Sequence, residues 1–169
     1  MDLRDIQRPL KQGYRDDPDS ARITLIARGA QEEAPMACSV DIGRAVYAAQ
    51  AHTGVGGAGT AACSGDLLLG ALAACAQLTC QMVATAMGIE LEKVEVTVEG
   101  DLDLRGTLGV SRDAPVGFSA IRVSFDLEAP GVPLERLEQL KEKAERYCVV
   151  MQTLTSPPPI DTSWRPHQQ

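Results

Sequence analysis

At 169 residues the chain is the size of one domain with a core of its own. Its 16 Lys and Arg against 23 Asp and Glu leave a formal net charge of -7, which excludes the clustered basic surface that nucleic acid or an anionic membrane face requires. Its 5 cysteines form no even framework and no short paired spacing, so any disulfide expected in a reducing compartment is catalytic rather than structural.

The opening MDLRDIQRPLKQGYRDD is polar and charged with no apolar stretch. It does not read as a secretory signal, and the expected location is cytoplasmic. A single domain is expected over 1–169, with a polar N-terminal segment at 1–19 and a tail at 161–169. ARITLIARG (21–29) alternates Ile23, Leu25 and Ala27 with Arg22, Thr24 and Arg28, which predicts a half-buried strand ending in a turn at Gly29. A second strand is predicted from Met36 to Ile42. The glycine-rich AHTGVGGAGTAACSG (51–65) is predicted to hold no packed element, and it matches no nucleotide-binding loop.

LLLGALAACAQLTCQMVATAMGI (67–89) carries no formal charge and is long enough to cross a bilayer. Gln77, Thr79 and Gln81 within it, the many Ala, and acidic rather than basic flanks at Asp66 and Glu90 point instead to a central core helix wrapped by sheet or by a second subunit, and no membrane partner is expected. Ser64 is expected to cap it, Asp66 to lie in its first turn against the positive end of the helix dipole, and Gly88 to end it. Cys75 sits near its middle, either as inert core or as a protected reactive centre. Cys75 and Cys80 stand about 140° apart around the helix and cannot form a local clip. A zinc site from His52, Cys63 and Cys75 lacks the paired spacing such sites use, and no metal or cofactor is expected.

KVEVTVEGDLDLRG (93–106) and FSAIRVSFDLEA (118–129) alternate as strands with one wet face. Pro133 suits the first turn of a helix whose stripe Leu134, Leu137, Leu140, Lys141, Ala144 and Cys148 points Cys148 inward. The prolines of TSPPPIDTSWRPHQQ predict an extended end.

ACSGDLLLGALAAC, GDLDLRGTLGV, GFSAIRVSFDL and ERYCVV together resemble the OsmC/Ohr family, the osmotically inducible and organic hydroperoxide resistance proteins, over roughly residues 20 to 160. The resemblance implies an α+β OsmC-like fold, an intertwined homodimer with long central helices enclosed by antiparallel sheets. It also implies a two-cysteine peroxidase acting on organic hydroperoxides and hydrogen peroxide, reset by a dithiol reductant. Cys75 matches the family's peroxidatic cysteine. Cys148 matches the resolving cysteine, although the common Cys-Pro pair reads Cys-Val here.

The family activates its thiolate with an arginine from the first hairpin, often held by a glutamate at the start of the central helix. Arg28 is the first match, Arg44 the second and Arg105 the third. Relatives with Asn-Pro-Glu place an acid ten residues ahead of the cysteine; here that position is Gly65 and the acid is Asp66, nine ahead. The alternative from the residues themselves is a non-enzymatic dimer of the same fold that holds a small apolar ligand, with Cys75 lining its cavity.

Overall fold

A computed structural model of the chain describes residues 3–24, 27–31, 37–42 and 45–166. In chain order the elements are α1 (Leu3–Asp16), β1 (Arg28–Gln31), β2 (Ala37–Asp41), β3 (Val46–Gln50), α2 (Ser64–Met87), β4 (Lys93–Asp101), α3 (Leu104–Thr107), β5 (Ala120–Glu128), α4 (Leu134–Tyr147) and α5 (Val149–Thr155). Among the described residues β1, β2 and β3 form one antiparallel sheet in that order, and β4 and β5 form a second. The mixed helix and small antiparallel sheets are the α+β arrangement expected from the sequence.

The first strand is shorter than the alternation suggests. Asp17 caps a single turn of 3-10 helix at Pro18–Ala21, accepting from the Asp19 N–H. Arg28 then pairs with Asp41, the last residue of β2, and among the described residues ahead of Arg28 none has a ladder partner. Ile23 is accordingly 78% exposed. Gly29 lies within the strand opposite Val40, not in a turn. Leu25, Met36 and Arg44 fall outside the described residues. β3 was not expected from the sequence. Ala49 and Ala62 form a bridge, with Gln50 N–H donating to Ala62 O at 3.0 Å, and this ties the sheet to the segment that leads into α2.

The N-cap of α2 lies one residue earlier than expected. Cys63, not Ser64, is the N-cap: Asp66 N–H donates to Cys63 Sγ at 3.4 Å, and Cys63 N–H donates to Asp66 Oδ2 at 2.9 Å. Gly88 ends the helix in the left-handed region at φ 66°. By length and composition α2 could cross a bilayer. It is instead a core helix on one face, burying Leu72, Ala76, Thr79, Cys80 and Ala84 against β4, β5, α4 and α5. Elsewhere on its surface Leu68, Leu78 and Met82 are exposed in the single protomer, α1 touching Met82.

Beyond α2 the register explains where each strand stops. β4 ends at Asp101 because β5 begins opposite it at Ala120, and the chain then turns into α3 through Asp103, whose carboxylate accepts from Arg105 N–H at 3.0 Å. The strand expected to reach residue 106 is therefore cut short. Pro133 is the residue before α4 rather than within its first turn. Leu140 and Ala144 are buried as the helical stripe requires, whereas Leu134 is exposed. The polar start of the chain forms α1, which touches α2 through Gln7 Nε2 and Met82 Sδ at 4.0 Å.

Candidate functional site

One short break in the backbone, between α4 and α5, brings the expected cysteines into the same cluster. Cys148 is the single residue between α4 and α5: its N–H donates to Ala144 O at 3.1 Å, and its C=O accepts from Gln152 N–H at 2.9 Å. The kink at Cys148 turns its side chain fully inward, at 0% exposure, against Leu72 and Ala76 of α2. Cys75, one helical position before Ala76, is half-buried and packs against the same cluster as Cys148. Cys80 belongs to a separate cluster with Leu140 and Ala144, so the two α2 thiols do diverge. Cys63, Cys75, Cys80 and Cys148 are all free.

The two thiols of the pair differ in proton affinity. Burial pushes Cys75 up, but the Val150 N–H, the Cys148 thiol, the Thr79 hydroxyl and the Val149 N–H outweigh it and hold Cys75 below the ordinary thiol range. These amides belong to the first turn of α5, where N–H groups have no intrahelical acceptor. Burial pushes Cys148 up, and the adjacent Cys75 adds to the rise against the N–H groups of Met151 and Val150. Cys75 is therefore the more acidic thiol of the pair, and Cys148 the one that holds its proton more tightly.

Among the described residues no cation acts on Cys75 within the protomer. Arg28 is exposed on β1, and Arg105 forks onto Asp103, with Nε to Oδ1 at 3.0 Å. That pair holds the Asp103 carboxyl down to about 2. Asp66 is engaged as a cap, its carboxyl lowered chiefly by the Cys63 N–H and then by the Cys63 thiol. A Cβ at Gly65 would stand 3.3 Å from the Phe118 ring and 3.4 Å from Cys63 Sγ, a tight fit that needs a small shift of either side chain. Phe118 occupies that space, packed also on Gly100.

The sequence shows that valine follows Cys148 but not that its N–H is directed at Cys75; a proline at that position would have no N–H to give. Val149→Pro is expected to keep α5, since proline suits a first helical position. It should move the pH profile of Cys75 alkylation to higher pH by removing one donor. Alkylation rates across pH, with circular dichroism as the fold control, check this. Among the described residues no three His, Cys, Asp or Glu side chains are grouped to hold a metal ion.

A buried thiol pair on a central helix and a helix joint, set against a two-stranded sheet, defines a thiol-bearing α+β domain. The family model for OsmC-like proteins matches residues 57–163, more than half of the chain, and the protein belongs to the OsmC-like family. Solved structures agree on the fold. The OsmC-like protein of Mycoplasma pneumoniae is 17% identical with a TM-score of 0.67, covering 80% of this chain and 89% of its own. The organic hydroperoxide resistance protein OsmC of Legionella pneumophila, described as a predicted redox protein, is 22% identical with a TM-score of 0.58 over 79% of this chain and 90% of its own. The organic hydroperoxide resistance protein OhrB of Bacillus subtilis is 19% identical with a TM-score of 0.51, over 80% and 93%. By sequence the chain matches no curated protein.

Proposed function

We propose that the protein is a two-cysteine, thiol-dependent peroxidase for organic hydroperoxides and hydrogen peroxide. The observation that carries this reading is the Cys75–Cys148 pair, in which the partly accessible thiol is the more acidic and the fully buried one keeps its proton. The Cys75 thiolate attacks the terminal peroxide oxygen. The O–O bond breaks, the electron pair leaves with the alkoxide, which takes up a proton as alcohol or water, and Cys75 becomes a sulfenic acid. Cys148 attacks that sulfur, hydroxide leaves as water, and a disulfide forms. A dithiol reductant restores both thiols by exchange.

The exposed face of α2 supports a homodimer in which a second copy covers Leu68, Leu78 and Met82. Within that dimer Arg28, carried on the outlying β1 sheet, is the cation offered to Cys75, and Asp66 is the acid that orients it. The hydroperoxide resistance of the Legionella and Bacillus proteins agrees with this chemistry.

A cavity of about 440 Å³ between β5 and α4, walled by Val123, Phe125, Leu137 and Leu140, favours a second reading, a dimer that binds a small apolar ligand. Cys80 rather than Cys75 lies at that cavity. Thiol counting separates the two readings. One equivalent of an organic hydroperoxide should remove two free thiols per chain within the mixing time of a peroxidase assay. An unchanged thiol count would leave the ligand-binding reading standing.

A further inference from the structure

We infer that Thr79 is the positioning residue for the Cys75 nucleophile, its hydroxyl donating a hydrogen bond to the thiolate. This rests on the peroxidase reading and adds a residue to it. Thr79 follows Cys75 by one helical turn, so the two side chains stand over one another on the same face. It is 4% exposed, the buried polar side chain of the core among the described residues. A threonine within a helix ordinarily turns its hydroxyl back to the carbonyl four residues earlier. Thr85 does so to Gln81 O at 2.9 Å, Thr153 to Val149 O at 2.8 Å, and Thr155 to Met151 O at 3.0 Å. The Thr79 hydroxyl instead lies 4.0 Å from Cys75 Sγ.

That departure has a chemical meaning. A hydroxyl buried among apolar side chains costs free energy unless its proton finds an acceptor. A neutral thiol is a weak acceptor and a thiolate a strong one, so the contact favours the deprotonated sulfur and fixes its direction. The groups of the surrounding cluster contributed by β4 and β5 are Val96, Val98, Ile121 and Val123, and Cys148 is the titratable group facing the pair. Thr79 therefore adds a non-titrating donor beside Cys75, where valine would fill the same volume without the hydroxyl.

The test is Thr79→Val, nearly isosteric, beside Thr79→Ser, which keeps the donor. Iodoacetamide alkylation of the Cys75 peptide is followed across pH by mass spectrometry, which separates it from the peptides of the other cysteines, and peroxide consumption is measured in parallel. Thr79→Val should shift the alkylation profile to higher pH and slow alkylation at neutral pH roughly tenfold, with Thr79→Ser close to the parent. Should the valine variant fail to fold, Thr79→Ala carries the same expectation. A parent-like profile in the folded variant overturns the role, even if the parent consumes peroxide. A shifted profile in a protein that consumes no peroxide upholds the Thr79 contact and overturns the peroxidase reading instead.

Discussion

Cys75→Ser is expected to abolish peroxide consumption, lowering the rate by a factor on the order of 10⁴ or more, because a serine hydroxyl supplies almost no anion at neutral pH. The amides of Val149 and Val150 that depress the cysteine cannot close so wide a gap. Cys148→Ser should behave differently. Its thiol makes no first attack, so one equivalent of peroxide is still reduced, and turnover then stalls with a sulfenic acid at Cys75. Trapping that species with a dimedone-type nucleophile and locating it by mass spectrometry checks the assignment. Sustained turnover in Cys75→Ser would end it.

The second large effect concerns assembly. Leu78 is 58% exposed in the single protomer, on the surface of α2. If a second copy covers that surface, Leu78→Glu places a carboxylate in an apolar interface, at a cost of several kcal/mol. Association should weaken by roughly a hundredfold or more. Analytical ultracentrifugation at micromolar concentration should show a dimer for the parent and monomer or unfolded chain for the variant. A folded parent monomer at that concentration would refute the dimer.

The parts of the fold legible in the sequence are those where one local rule decides. An uncharged run between Asp66 and Gly88 marks a long helix with a buried face, and the alternation of Val94, Val96 and Val98 fixes which face of β4 is dry. Cys148 pointed inward because its spacing from Leu140 and Ala144 is helical. The residues at 21–27 show the limit of the same rule. Their alternation is real, but a strand needs a partner, and β2 stops opposite Arg28, so the described residues among them, 21–24 and 27, join no ladder. β3, with Ala48 and Ala49 at its centre, has too little side chain to alternate visibly. α1 was hidden because it is polar on most of its surface and has proline at position 9. At the site, the thiol pair could be read from position, whereas the donors around Cys75 are backbone amides, which no residue type announces.

The joint at Cys148 has a consequence for the protein's mechanics. Oxidation of Cys148 with Cys75 would cross-link the middle of α2 to the hinge between α4 and α5, closing a loop that contains both strands of the second sheet. By the entropy removed from the unfolded chain, closure of so long a loop is worth about 4 kcal/mol. The spent form would then be the harder to melt, and reduction would return a looser molecule with its nucleophile restored. Heat tolerance would rise and fall with each catalytic cycle, so a melting curve would double as a gauge of how much of the protein awaits its reductant.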